Sequence, residues 1–165
     1  MADVFSKAKR SFVMSRIRSR GNAATELALA KLFRQNQITG WRRHFRVRIA
    51  ERGVRNNFKA KAARSPLRTP HSELRTFAVR PDFVFLKSRT AIFVDGCFWH
   101  GCPKHATQPK NNRAFWRRKF SRNKNRDALV NRALRSANWR VIRIWECALK
   151  KNPLNCLRRI RPGLQ

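Results

Sequence analysis

Hydrophobic and polar positions change period several times along this chain, and each change predicts an element. After Asn22, the residues Leu29, Leu32 and Phe33 recur at helical spacing and predict a helix to about Gln35. Asn22 is its candidate N-cap, and Glu26 falls in the first turn, where a negative charge suits the helix dipole. Phe45, Val47 and Ile49 then alternate with His44, Arg46 and Arg48, the period of a half-buried strand. Asp82 to Leu86 and Ala91 to Val94 are short continuous apolar runs joined by a basic turn, and both predict buried strands. A helical region follows from Arg113 to Ala137, with Asn123 as a candidate break. Trp139 to Trp145 predicts a last strand. Between about Ala50 and Val79 the periodicity fails. Seven Lys/Arg, two Glu and two Pro there predict a solvated basic insertion. No internal repeat is visible. Helix, strands, helix and strand in that order predict an α/β domain with a mixed sheet covered by helices. Residues 21–153 form that domain, preceded by a basic arm or short helix at 1–20 and followed by a short tail at 154–165.

Charge changes the picture from fold to partner. Lys and Arg number 40 against 8 Asp and Glu, a formal net charge of +32. A small domain so charged repels itself unless a polyanion neutralises it. Release of counterions from nucleic acid would drive tight, salt-sensitive binding. A ribosomal or chromatin-like coat protein fits charge alone equally well. No long apolar segment predicts membrane binding, and the polar, basic N-terminus predicts no signal peptide. With 165 residues, 42% of them hydrophobic, one domain with a real core is expected. Four cysteines in a cytosolic context point to metal before disulfides.

The chemistry concentrates in Val94-Asp95-Gly96-Cys97-Phe98-Trp99-His100-Gly101-Cys102-Pro103-Lys104-His105. Cys97, Cys102 and His105, with Cys147 after the last strand, supply the three sulfurs and one imidazole that a tetrahedral structural zinc prefers. His100 is a rival fourth ligand, and Cys156 is left over as a free thiol in the tail. Burial of the cysteines as small hydrophobes is the alternative. Asp82 opens one strand and Asp95 ends the next. With Glu26 available from a helix, they suit a Mg²⁺ site for phosphodiester hydrolysis, with His100 moving the proton of the attacking water. The competing reading pairs Asp82 and Asp95 with surplus arginines. Phe98 and Trp99, in a polar glycine-flanked loop, suit stacking or wedging between bases, joined by Trp116 and Met14. Otherwise they plug the space under the loop.

Several longer stretches carry a resemblance. Met14-Ser15-Arg16-Ile17-Arg18-Ser19, Thr25-Glu26-Leu27, Arg80-Pro81-Asp82-Phe83-Val84-Phe85, Phe93 through Pro103, Asn112-Arg113-Ala114-Phe115-Trp116, and Trp139-Arg140-Val141 through Ile144-Trp145-Glu146-Cys147 together resemble the very short patch repair DNA mismatch endonucleases. The resemblance spans nearly the whole chain except about 48–79 and the tail. It implies a restriction-endonuclease-like fold with a structural zinc on Cys97, Cys102, His105 and Cys147. It also implies Mg²⁺-dependent nicking of duplex DNA 5′ to the thymine of a T·G mismatch left by deaminated 5-methylcytosine. By position, Asp82 and the Val94 carbonyl would hold Mg²⁺, His100 would act as base, and Glu26 would be a supporting acid. Phe98, Trp99 and Met14 would wedge beside the mismatch, with Trp116 supporting them.

The same resemblance implies a monomer of the bacterial cytoplasm and nucleoid, linked in function to a cytosine methyltransferase and a repair polymerase. The chain departs from the family pattern in two places. A long basic insertion replaces a short loop, and Asp95 stands where the family's best-studied member has histidine, which makes Asp95 a candidate metal ligand. The lysine of the related restriction-enzyme motif is also absent, with Cys97 in its place. The alternative function is a non-catalytic, zinc-containing, basic nucleic-acid-binding protein.

Overall fold

The computed structural model describes residues 6–16, 21–51, 75–107, 109 and 111–163. Helix α1 spans Lys7–Arg16, and α2 spans Ala28–Gln35. The strands are β1 Trp41–Arg43, β2 Val47–Glu51, β3 Arg75–Val79, β4 Phe83–Phe85 and β5 Thr90–Asp95. Helices α3 Cys97–His100 and α4 Arg113–Ser136 lead to strand β6 Arg140–Trp145. Helices α5 Glu146–Lys151 and α6 Pro153–Ile160 and a 3₁₀ turn at Arg161–Gly163 close the described chain.

Four strands form a mixed sheet in the order β1-β4-β5-β6, antiparallel except for the parallel pair β5–β6. A parallel pair needs a crossover, and α3 with α4 supplies it. The central strands are apolar on both faces because both faces are covered. Phe83, Phe85, Ile92, Val94, Ile142 and Ile144 point into one core with Leu29, Phe33, Leu149, Leu157 and Ile160 of α2, α5 and α6. Val84 and Ala91 point the other way, against Ala133 and Leu134 of α4 and against Val47, Ile49 and Val79. The expected α/β class and mixed sheet are what the structure has. Among the described residues, no helix is long and apolar enough to cross a membrane.

Four local expectations are corrected. The stretch read as one alternating strand is two. β1 pairs with β4, the chain bends at His44 (φ 51°), and β2 begins at Val47. The insertion is narrower than 50–79, because β2 and β3 pair antiparallel from Val47↔Val79 to Glu51↔Arg75 as a separate two-stranded sheet. Residues 52–74 lie outside the described residues, as do 1–5 and 17–20 of the basic arm and 164–165 of the tail. Helix α4 does not break at Asn123. That residue is buried, and its amide donates to the Trp99 carbonyl at 2.8 Å, so a polar side chain is accommodated without interrupting the helix. The C-terminal segment, expected to be a short tail and helical at best, is a helix packed into the core. Pro153 sits in the first turn of α6, where its missing N–H costs nothing, and Cys156, Leu157 and Ile160 enter the core.

Candidate active site

Strand β4 begins where its antiparallel neighbour β5 ends, so Asp82 and Asp95 come to the same end of the sheet. Their surroundings differ. Asp82 accepts one hydrogen bond from the Val94 backbone N–H at 2.7 Å. Among the described residues no lysine or arginine pairs with it. Burial, with the nearby charges of Glu26 and Asp95, pushes its carboxyl up from 3.8 to about 6 despite the Val94 bond. Glu26 reaches the same place from the turn before α2. That turn, Ala23–Leu27, is wound as a π-helix, with the Leu27 N–H donating to the Asn22 carbonyl at 3.1 Å and the Asn22 side chain capping Ala24 N–H at 2.9 Å. Single π turns recur at functional sites because they re-aim one side chain. Here the buried Glu26 carboxylate accepts from Gly21 N–H at 3.0 Å and from Arg43 at 2.9 Å.

His44 completes this group. Its Nε2 lies 2.9 Å from Glu26 Oε2, and its backbone N–H donates to the Asp82 carbonyl at 3.2 Å. One atom from each of Glu26, His44 and Asp82 lies within 4.8 Å of the others. Two carboxylates and an imidazole at that spacing fit a divalent cation. Arg43 Nε is buried and has no hydrogen-bond partner among the described residues.

Asp95 belongs to a second network. Its two oxygens accept from Arg143, Oδ1 from Nη2 at 2.5 Å and Oδ2 from Nε at 2.6 Å. Arg143 also lies 3.2 Å from Asp127 and 4.9 Å over the Phe93 ring. Asp127, from α4, holds His100 Nδ1 at 2.6 Å. Burial alone would raise the Asp127 carboxyl, but the His100 hydrogen bond and the Arg143 charge outweigh it and hold it low. A proton placed on Nδ1 by that bond leaves Nε2 as the ring's accepting nitrogen. Asp95, expected beside the metal, is instead the anion of a buried ion pair; it stays close enough to Asp82 to raise its pKa. Val94 presents its N–H to Asp82.

The four expected soft ligands meet. Sγ of Cys97, Cys102 and Cys147 and a ring nitrogen of His105 lie within 4.8 Å of one another. Cys102 is 3.8 Å from the Cys147 sulfur and 3.7 Å from His105 Nδ1. Without a cation the thiols resist joint ionisation. Burial and the neighbouring sulfurs push Cys97 up to about 12, while backbone N–H groups and His105 bring Cys102 down to about 6 against its burial. Three thiolates and an imidazole fit zinc. His100, bonded to Asp127, is not in this quartet, and Cys156 is buried in the core rather than in a tail.

Phe98 and Trp99 are half-buried and pack with Trp116 and Phe120, the Phe98 ring lying 5.0 Å from Trp99 and 5.2 Å from Trp116. They are neither a sealed plug nor a bare flap; the cluster sits half-buried between α3 and α4. Met14 lies in α1, and its side chain falls outside what is described.

Sequence reasoning missed His44, Asp127 and Arg143. The alternation around His44 placed it on a solvent face. Asp127 and Arg143 stand in basic stretches, and only the β5–α4–β6 crossover joins them to His100. The rarity of acidic residues was the available signal for Asp127.

Acidic and imidazole side chains gathered at one end of a mixed sheet define a site able to hold a divalent cation. The family model of the DNA mismatch endonuclease Vsr matches residues 71–107. The chain is 34% identical to the DNA mismatch endonuclease Vsr of Escherichia coli strain K12 over 91% of its own length and 77% of that protein. It is 32% identical to the type II nicking enzyme V.NmeAIP of Neisseria meningitidis over 93% of its length and 89% of that enzyme. A shorter match, 52% identical, covers 41% of the type II nicking enzyme V.NaeI of Lentzea aerocolonigenes and 41% of this chain. The chain belongs to the Vsr DNA mismatch endonuclease family.

Proposed function

We propose that this protein nicks duplex DNA on the 5′ side of the thymine in a T·G mismatch, the lesion left when 5-methylcytosine deaminates. The observation that carries this reading is the convergence of Glu26, His44 and Asp82 within 4.8 Å at the end of the sheet, where no lysine or arginine among the described residues pairs with Asp82. A carboxylate left in that state repels a phosphate backbone, and a bound cation reverses the local sign. Asp82 and Glu26 would hold Mg²⁺, which would supply charge neutralisation at the phosphate and acidify the attacking water.

The protein's own groups do the rest. His100, oriented through Nδ1 by Asp127, offers Nε2 to the water's proton. The Arg43 guanidinium, paired with Glu26, adds positive charge beside the phosphate's approach. Phe98 and Trp99, backed by Trp116, stack against bases exposed at the mismatch. The quartet of Cys97, Cys102, His105 and Cys147 would take structural zinc and tie the segment after β5 to the one after β6. The sheet and crossover are consistent with a restriction-endonuclease-like fold, and the formal charge of +32 with strong binding to DNA.

The test is incubation of an intact T·G duplex with Mg²⁺, beside a matched duplex and an EDTA control. A single nick 5′ to the mismatched thymine, absent from both controls, is the expected result. Tight binding to either duplex with no nick would leave a non-catalytic nucleic-acid-binding protein.

A further inference from the structure

Within the cluster of Glu26, His44 and Asp82, His44 is the member to which the proposed reaction gives no chemical task. It stands at a bend with φ 51°, a region that non-glycine side chains enter at a cost. Its own backbone N–H, bonded to the Asp82 carbonyl, holds the bend there. Such local strain, held by the surroundings, recurs at ligand-binding positions. The ring is half-buried and turned inward, with Nε2 2.9 Å from Glu26 Oε2 and 3.4 Å from Arg43 Nη2. Two donors bound side by side to one octahedral cation at about 2.1 Å sit about 3 Å apart. The ligand atoms of Glu26, His44 and Asp82 lie within 4.8 Å of one another, near enough for one cation to draw them together.

We propose that His44 is a protein ligand of the catalytic cation, and that its nitrogen makes this site favour Mn²⁺ over Mg²⁺. The inference rests on the reading of Glu26 and Asp82 as the cation's carboxylates. Mg²⁺ takes oxygen donors and keeps most of its water, so an imidazole adds little to its binding. Mn²⁺ accepts carboxylate oxygen and imidazole nitrogen together, and it gains where both are offered in one buried cluster. Glu26 still has a second oxygen to offer when Arg43 and Gly21 occupy Oε2. Arg43 then lies beside the cation's ligand shell rather than within it, where it can face phosphate.

The test is an electron paramagnetic resonance titration of Mn²⁺ into the full zinc-loaded chain, with Mg²⁺ as competitor and no turnover required. The expected result is one Mn²⁺ site abolished by Asp82→Asn, with nitrogen modulation of the spin echo from a bound imidazole. His44→Gln should erase that modulation and lower the Mn²⁺-to-Mg²⁺ affinity ratio by about tenfold or more. An Asp82-dependent Mn²⁺ site without nitrogen modulation overturns the role of His44 alone. So does modulation that survives His44→Gln, because the nitrogen then belongs to another residue. Mn²⁺ binding that ignores Asp82→Asn, or no binding, overturns the cation site itself and His44's role with it. Absence of nitrogen modulation from the wild-type echo overturns the role of His44 even if a variant folds poorly. If His44→Gln does fold poorly, His44→Ala with exogenous imidazole, which should restore the modulation, assigns the nitrogen.

Discussion

Asp82 and Asp95 stand at the same end of one sheet, on adjacent antiparallel strands, yet the protein treats their charges in opposite ways. Asp95 is nearly sealed from solvent and gripped through both oxygens by Arg143. Asp82 is given one backbone N–H, two acidic neighbours and, among the described residues, no cation beyond His44. A carboxylate that the protein neutralises itself is a structural part. A carboxylate that it desolvates and leaves uncompensated costs stability unless something else brings the charge. Among the described residues Asp95 pairs with Arg143, and Asp82 pairs with no lysine or arginine.

Breaking the Asp82 side should have the largest effect. Asp82→Asn should lower T·G nicking by about 10⁴-fold, some 5.5 kcal/mol in barrier, while mismatch binding holds or tightens. Single-turnover nicking beside a binding titration measures both, and nicking at the wild-type rate would end the catalytic reading.

Breaking the Asp95 side should act on folding first. Arg143→Met leaves a buried carboxylate without its cation and should cost about 3–5 kcal/mol. The double variant Asp95→Asn with Arg143→Met should recover most of that, and urea unfolding reads the difference. Equal losses in the single and double variants would show that Arg143 matters for packing alone.

The pH dependence sharpens the contrast. The Asp82 carboxyl rises from 3.8 in the unfolded chain to about 6 in the folded one. Between those values the folded state binds more protons, so this group favours folding at low pH, and its contribution is lost as pH rises to 6. The loss is up to about 3 kcal/mol. Wild type minus Asp82→Asn, followed by unfolding at pH 4 and pH 7, should show it, and saturating divalent cation should remove it. A difference independent of pH would contradict the burial argument.

The smallest effect should come from a region that neither aspartate touches. Phe98→Ala with Trp99→Ala together should cost about 1–3 kcal/mol in mismatch preference, the worth of one stacked base, and leave the salt dependence of binding in place. Unchanged discrimination would return both rings to packing.

Legibility in the sequence followed locality. The apolar runs of β4, β5 and β6, the Asn22 cap and the α2 stripe are short-range patterns, and all are present. The soft quartet was legible because Cys97, Cys102 and His105 lie within nine residues and Cys147 directly follows a strong strand. His44 was not, because periodicity assumes a straight strand and the chain turns there. The Arg143–Asp127–His100 relay needs the register of β5 on β6 and the placement of α4 over both, which no local pattern encodes. The tail after Pro153 reads as helical at best, and its packing into the core is not legible because Cys156, Leu157 and Ile160 make too short a stripe to stand out.

The pairing of β2 with β3 has a consequence for how this family can vary. At Glu51↔Arg75 the chain leaves the hairpin and returns at directly opposed positions, about 5 Å apart in any antiparallel ladder. Whatever lies between is spliced in at a closed gate. Each doubling of its length adds only about 0.6 kcal/mol of closure entropy. Lineages can therefore lengthen, trim or exchange the intervening segment as a cassette, trying new electrostatic reach while the sheet and its acidic end stay untouched.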